Sequence, residues 1–154
     1  INSSLSEDGN QIIFHNYVNL AVAVGLEEGL IVPVVKHAEK MSLSELVVAI
    51  KDLTARTVSK KLLPDEQMGS TFTISNLGMY GVSHFSAIIN QPNAAILSVA
   101  ATVKKPVVIN NEIVIRPMMN MSLTSDHRLI DGLVAAKFMT DLKALIENPF
   151  SLLI

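Results

Sequence analysis

The sequence predicts a mixed α/β domain in which a mostly antiparallel sheet is flanked by helices. Short apolar runs, some strictly alternating and bounded by turn residues, indicate strands. Two longer segments place apolar residues at helical spacing. The nearly continuous apolar run 94–103 is typical of a strand buried on both faces. The length of 154 residues suits one domain over residues 1–154.

The first half of the chain predicts a strand at Ile12–Phe14 and then a hairpin. Apolar residues alternate along 17–24, and 30–35 returns as a second strand after the turn at 27–29. Pro33 removes one backbone donor, so the return strand is expected at an edge or irregular at that point.

Two helices are predicted, at 42–62 and 133–147. Ser42 and Glu45 form a capping-box sequence at the start of the first helix, and Pro64 follows its end. The first helix is interpreted as a structural element that covers the sheet. The residues expected on the buried side of the second helix are Val134, Phe138, Leu142, Leu145 and Ile146.

The second half of the chain predicts further strands and one short helical turn. Strands are expected at 71–77 and 118–124, with a Gly-containing loop at 76–81 and a helical turn at 85–89. A second hairpin joins 107–109 to 113–116 through the Asn110–Asn111 turn.

Composition argues against several classes of protein. Hydrophobic residues make up 49% of the chain and charged residues 17%, against about 25% charged in a typical domain. This excess of apolar residues predicts a large subunit interface. The apolar runs are far shorter than the roughly 20 residues of a membrane helix. The formal charge of −2 and the lack of a basic stripe argue against nucleic-acid binding.

The chain has no cysteine, which removes disulfides, thiolate metal sites and a cysteine nucleophile. It also fits a reducing compartment. His15, His37 and His84 have no metal-ligand spacing to one another, so no metal site is predicted.

The strongest candidate for chemistry is His127, in the segment 125–132 between a predicted strand and a predicted helix. Histidine is the side chain best suited to accept a proton near neutral pH. Asp131 follows four residues later, and Gly132 permits a tight turn. The alternative is an ordinary strand-to-helix turn with a surface histidine.

The second candidate is Ser75, which closes a predicted strand before a Gly-containing turn. Its hydroxyl can project into a cleft, or Ser75 and Asn76 can satisfy their own turn, which is commoner. A hydrolase with Ser75 as nucleophile and His127 and Asp131 as partners is a rival chemistry. No Gly-x-Ser-x-Gly elbow surrounds Ser75, which counts against that rival.

Four blocks in order along the chain carry a family resemblance. The segment 126–132 resembles the signature of the dihydrolipoamide acyltransferases, the core components of 2-oxo acid dehydrogenase complexes. Blocks 18–35, 69–78 and 85–90 resemble other recurring blocks of that family, so the resemblance covers essentially the whole chain. The variant at 75–81 is most similar to acetyl-transferring, pyruvate-type members.

The resemblance implies a chloramphenicol-acetyltransferase-like, trimer-forming fold that moves an acetyl group between dihydrolipoamide and coenzyme A. His127 would be the general base and Ser75 the hydrogen-bond donor to the oxyanion, worth roughly 10²–10³ in rate. Asp131 would hold the loop through an ion pair. The site would lie between two subunits, with His127 from one and Ser75 from its neighbour. Coenzyme A and the lipoyl group are then substrates, and no metal takes part.

The resemblance also implies partners. Trimers would assemble into a 24-mer or a 60-mer, and the apolar tail 150–154 would dock into another trimer or fold back on its own helix. A lipoyl domain would deliver substrate. Residues 1–154 would be the C-terminal part of a catalytic domain. The absent lipoyl and subunit-binding domains would recruit the decarboxylase and dihydrolipoamide dehydrogenase components. Bacterial cytoplasm and mitochondrial matrix are both allowed.

Two other functions stay open from the sequence. The chain can be a non-catalytic scaffold core, or a stand-alone coenzyme A-dependent acetyltransferase acting on a small hydroxylated acceptor. Acetyl is favoured over succinyl or branched acyl groups by resemblance alone, and an acetoin-cleaving complex also fits.

Overall fold

The computed structural model describes residues 1–150, so the predicted docking of the tail falls almost entirely outside the described residues. The strands run Ser3–Leu5 (β1), Ile12–Phe14 (β2), Leu20–Val22 (β3), Val24–Leu26 (β4), Gly29–Ile31 (β5), Val34–Val35 (β6), Phe72–Asn76 (β7), Ala95–Ile109 (β8) and Glu112–Ser125 (β9). The helices are Leu43–Val58 (α1) and Gly132–Glu147 (α2), with short 3₁₀ turns at Ala38–Lys40, Pro64–Gln67 and Gly78–Tyr80.

A five-stranded mixed sheet organises the described residues, in the order β6-β3-β7-β8-β9. The β6–β3 and β8–β9 pairs are antiparallel, whereas β3–β7 and β7–β8 are parallel. Most paired residues belong to the long antiparallel β8–β9 ladder. Two small antiparallel sheets, β1–β2 and β4–β5, complete the strand pairing. The predicted fold class is therefore confirmed.

The first predicted hairpin is present but divided into two ladders. Strands β3 and β4 replace the single predicted strand 17–24, and β5 and β6 replace the return strand. Pro33 lies between β5 and β6, where its carbonyl still accepts a hydrogen bond from the Val22 N–H. The strand β6 is the edge of the sheet, as the missing donor of Pro33 predicts.

The helix α1 begins as predicted and ends earlier. Ser42 accepts from the Glu45 N–H at 3.3 Å, while the Glu45 carboxylate accepts from the Ser42 N–H at 2.7 Å. The helix stops at Val58 because Lys60, two residues later, takes a left-handed conformation with a φ of 57°. The buried side chain of Leu53 packs with Val35 and Ala38 into one of two core clusters.

The helix α2 is much less covered than the sequence predicts. Phe138 meets Phe72 at a ring-centroid distance of 5.9 Å, and Ala135 packs on the second core cluster around Ile130. Phe138 and Leu142 are half-buried. The predicted burial of Val134, Leu145 and Ile146 is wrong for this chain, since their exposures are 46%, 39% and 46%.

The strands predicted at 94–103, 107–109, 113–116 and 118–124 form one long hairpin. Its ladder joins Ala95 to Ser125 at one end and Ile109 to Glu112 at the other, with an irregularity between Val99 and Thr102. Asn110 and Asn111 both have positive φ, as a tight hairpin turn requires. The first seven residues of β8 are mostly buried, which confirms that this part of the strand is covered on both faces.

The helical turn predicted at 85–89 is wrong. Residues 82–93, which we call the strap, have no helix and lie across the sheet. Half-buried and exposed side chains alternate in the strap at Phe85, Ser86, Ala87 and Ile88, as in an extended chain. Its backbone groups bond to sheet side chains that are distant in sequence, and this competes with local helix formation.

Within the described residues, no helix combines the length and apolar character that crossing a membrane needs.

Candidate active site

His127 lies in the turn that joins β9 to α2, and backbone hydrogen bonds fix that turn. The Asp126 N–H donates to the Ala94 carbonyl at 2.8 Å, and the Asp126 carbonyl accepts from Leu129 and Ile130. Ile130 is 2% exposed and anchors the turn in the core. The turn therefore holds His127 on a rigid support, with its side chain exposed.

Asp126, the acidic neighbour of His127, is hydrogen-bonded to another side chain. The Arg128 side chain donates to both carboxylate oxygens of Asp126, the shortest bond being 2.7 Å. These hydrogen bonds hold the pKa of Asp126 below its ordinary value. Within residues 1–150 the His127 side chain has no hydrogen-bond partner, so its imidazole is available to an incoming group.

Asp131 occupies the N-cap position of α2 but does not cap it. Its backbone is extended, with φ −71° and ψ 152°, and its carbonyl accepts from the Ala135 N–H. Its side chain accepts no capping hydrogen bond and is exposed. The described part of the chain provides no ion-pair partner for this carboxylate, so the predicted ion pair remains a prediction.

Ser75 lies near the end of β7, opposite Ser98 of β8, which is itself opposite Ser122 of β9. Side chains of paired residues share a face, so these three hydroxyls form a row across one side of the sheet. Ser75 is half-buried, and no described residue makes a hydrogen bond to its hydroxyl. Asn76 instead satisfies the turn, because its Oδ1 accepts from the Gly78 N–H at 2.8 Å.

The turn after Ser75 needs glycine at position 78. A Cβ there would lie 2.9 Å from the Ala100 carbonyl oxygen, a distance at which the backbone must shift. The close approach of this turn to β8 fixes the end of the strand that carries Ser75.

One protomer does not bring Ser75 and His127 together. Ser75 is aligned with Ser122, and β9 continues three residues to Ser125 before the turn begins. Two strand spacings and three residues of strand place Ser125 roughly 14 Å from Ser75. The register of the sheet therefore places Ser75 and the His127 turn well apart within one protomer.

Polar residues beside the His127 turn were not predicted from the sequence. A cavity of about 220 Å³ borders the His127 turn and is lined by Ser6, Gln91, Asn93, Asp126 and Arg128, with apolar residues beside them. The alternating hydroxyls of Thr71, Thr73 and Ser75 were the available signal for a polar face. Among residues 1–150, no group of three or more His, Asp or Glu side chains is placed to hold a metal ion.

Comparison with known proteins decides the family. The family model described as 2-oxoacid dehydrogenases acyltransferase (catalytic domain) matches residues 1–154. The chain belongs to this family. The resemblance of the four sequence blocks is thereby confirmed.

The curated relatives of this chain include both acetyltransferase and succinyltransferase components. It is 45% identical over 153 residues to the dihydrolipoyllysine-residue acetyltransferase component of the pyruvate dehydrogenase complex of Rickettsia prowazekii, covering 99% of this chain and 37% of the relative. It is 42% identical over 154 residues to the dihydrolipoyllysine-residue succinyltransferase component of the 2-oxoglutarate dehydrogenase complex of Azotobacter vinelandii, covering 100% of this chain and 38% of the relative. The chain thus spans well under half the length of these relatives.

Solved structures share the fold. One is the Azotobacter vinelandii dihydrolipoamide acetyltransferase, studied for the roles of a serine, a histidine and an asparagine in its catalytic mechanism. It is 38% identical, with a TM-score of 0.94 over 99% of this chain and 63% of that one. Another is the cubic core of a pyruvate dehydrogenase multienzyme complex, 37% identical, with a TM-score of 0.94 and the same coverage.

Proposed function

We propose that this chain is the catalytic part of an acyltransferase that moves an acetyl group between dihydrolipoamide and coenzyme A. One observation carries the proposal. Ser75, His127 and Asp131 have the same separations along the chain as the serine, histidine and asparagine whose catalytic roles were studied in the Azotobacter vinelandii acetyltransferase. This chain carries an aspartate where that enzyme has the asparagine.

His127 is the general base in the proposed reaction. Its imidazole takes the proton from the attacking thiol, and the resulting thiolate sulfur adds to the thioester carbonyl. The tetrahedral intermediate then collapses as the carbon–sulfur bond to the other thiol breaks, and the imidazolium returns the proton to that sulfur. The exposed ring of His127 supports this role, since no group among residues 1–150 is hydrogen-bonded to its nitrogen atoms.

Ser75 stabilises the oxyanion of the intermediate by donating a hydrogen bond. Its hydroxyl is half-buried and has no partner among the described residues, so it is free to donate. Loss of one such donor costs roughly 10²–10³ in rate. Since His127 and Ser75 lie apart in one protomer, we propose that each site takes His127 from one subunit of a trimer and Ser75 from its neighbour.

Asp131 is proposed to hold the His127 turn through an ion pair with a cation outside residues 1–150. Its carboxylate is exposed and not used as a helix cap, which leaves it free for this contact. The single-domain boundary at residues 1–154 and the role of this chain as the C-terminal part of a catalytic domain also remain proposals.

The proposed substrates and partners follow from the family. Coenzyme A and a lipoyl group are the substrates, and the thiol exchange uses no metal. We propose assembly of trimers into a larger core of a pyruvate-type complex, with a lipoyl domain, the decarboxylase and dihydrolipoamide dehydrogenase as partners. Relatives from bacteria such as Rickettsia are compatible with a bacterial cytoplasmic location.

Subunit exchange tests the shared site. Ser75→Ala and His127→Ala proteins, each made full-length, are assayed for acetyl transfer from acetyl-CoA to dihydrolipoamide, alone and after mixing. Random exchange in a trimer restores a wild-type pair at roughly a quarter of the sites, so activity returns in the mixture. Mass spectrometry of differently tagged subunits verifies exchange. Absence of recovery despite exchange rejects the shared site.

The same assay tests the reaction and its acyl group. The wild-type protein is expected to use acetyl-CoA well and succinyl-CoA poorly. A wild-type protein that transfers neither group is a scaffold, and one that prefers succinyl-CoA overturns the pyruvate-type assignment.

A further inference from the structure

The strap crosses the face of the sheet that carries Ser75. Thr73 and Ser75 are two residues apart on β7, so their side chains share that face, and Ser98 and Ser122 extend it across β8 and β9. The opposite face carries Phe72, which packs against α2. The strap and the helices therefore cover different sides of the sheet.

Side chains of the sheet hold the outer half of the strap at every second residue. Asn120 donates to the Ser83 carbonyl at 2.8 Å, and the Ser122 hydroxyl donates to the Phe85 carbonyl. The Ala87 N–H donates to the Ser98 hydroxyl at 3.1 Å, and Ser98 is only 1% exposed. The strap thus follows the β8–β9 ladder until it reaches Ser98, the register partner of Ser75.

Thr73 holds the inner half of the strap. Its hydroxyl accepts from the Asn90 amide at 3.2 Å and from the Asn93 amide at 2.6 Å. Thr73 is fully buried, and Asn93 is 3% exposed. Ser70 donates to the other amide atom of Asn93 at 3.2 Å, so the amide orientation is fixed from both ends.

The strap is also the segment that connects the surroundings of Ser75 with the His127 turn. Ile89 and Asn93 line the same cavity as Asp126 and Arg128. Directly after the strap, the Ala94 carbonyl accepts from the Asp126 N–H. The strap is therefore hydrogen-bonded to two neighbours of Ser75 and leads directly into the support of the His127 turn.

We propose that Thr73 is a positioning residue: its hydroxyl clamps the strap through Asn90 and Asn93 and so fixes the wall beside Ser75 and the support of the His127 turn. The proposal rests on the proposed acyl transfer. It predicts a loss of turnover rather than of substrate binding, because small misplacements of reacting groups reduce the rate of the chemical step.

A matched pair of substitutions isolates the hydroxyl. Thr73→Val keeps the shape of the side chain and leaves two amide donors without an acceptor, whereas Thr73→Ser keeps the acceptor. In full-length protein at a temperature where both variants are folded, we expect Thr73→Val to lower kcat about tenfold with both KM values nearly unchanged. Thr73→Ser is expected to stay within about twofold of wild type in kcat, since the clamp is retained.

The outcomes separate this proposal from the proposed function. An inactive wild-type protein overturns both. If the wild type is active, either of two results overturns the positioning role alone. One is an equal kcat for Thr73→Val and Thr73→Ser, and the other is a raised KM with an unchanged kcat. If Thr73→Val does not fold, Asn90→Ala removes one of the two amide donors to the Thr73 hydroxyl. A kcat reduced about threefold at constant KM supports the clamp, and an unchanged kcat overturns it.

Discussion

The two helices of the chain have similar lengths and similar amphipathic sequences but very different surroundings. The apolar side of α1 packs on Val35 and Ala38, with Leu53 at the centre of the contact. The helix α2 has no buried residue, and its contact with the sheet is concentrated at Ala135 and Phe138. Amphipathic spacing therefore predicts that a helix has an apolar side, but it does not say whether the same chain covers that side.

The N-termini of the two helices differ in the same way: side chains cap the N-terminus of α1 but not that of α2. Ser42 and Glu45 close a reciprocal capping box on α1. Asp131 has the right position and backbone to cap α2, yet its side chain makes no capping bond. The first helix is completed by local contacts, whereas the second begins beside the proposed catalytic turn with a carboxylate that has no partner in the described part of the chain. This contrast supports a role for Asp131 outside its own helix.

The largest expected effect concerns the core contact of α1. Leu53→Ala deletes a side chain that is 8% exposed, and we expect a loss of roughly 2–5 kcal/mol in the free energy of unfolding. Val48→Ala on the same helix is the control, because Val48 is 68% exposed and its loss should change stability by less than about 0.5 kcal/mol. Chemical denaturation measures both. Equal effects of the two substitutions would show that α1 is no better covered than α2.

A smaller effect is expected at the start of α1. Ser42→Ala removes the acceptor for the Glu45 N–H and should cost about 1 kcal/mol. Ser42→Thr keeps a hydroxyl at the cap and should recover most of that stability. Denaturation midpoints of the three proteins provide the measurement. If Ser42→Ala and Ser42→Thr are equally stable, the capping box does not distinguish α1 from α2.

Local signals predicted the elements whose partners are near in sequence. The capping box at Ser42, the hairpin turn at Asn110 and the edge position of Pro33 all depend on neighbouring backbone and are all observed. The strap was missed because its hydrogen bonds go to side chains such as Thr73 and Ser122, which no local pattern connects to it.

The candidate site shows the same limit. Ser75 and His127 were identified from strand ends, turns and a family resemblance, each of which is a local feature of the sequence. The expectation that they come from different subunits rested on the family resemblance alone. The clamp at Thr73 depends on strand order and register, which no local pattern specified.

The smallest expected effect is the pH dependence of the stability that ion pairs contribute at the two helices. Hydrogen bonds from the Arg56 side chain, then one from the Leu63 N–H, lower the pKa of Glu66 from 4.5 to about 2. Since the folded-state pKa is the lower one, the carboxylate stabilises the fold above pH 4.5, and this contribution is lost as pH falls towards 2. Glu66→Gln should therefore lower the thermal midpoint most at neutral pH and progressively less below pH 4.5.

Glu147→Gln is the control on α2, where the Lys143–Glu147 side chains are 68% and 61% exposed, and it should cause a smaller shift at neutral pH. A Glu66→Gln difference that stays constant down to pH 2, or one no larger than that of Glu147→Gln, would remove this distinction between the helices.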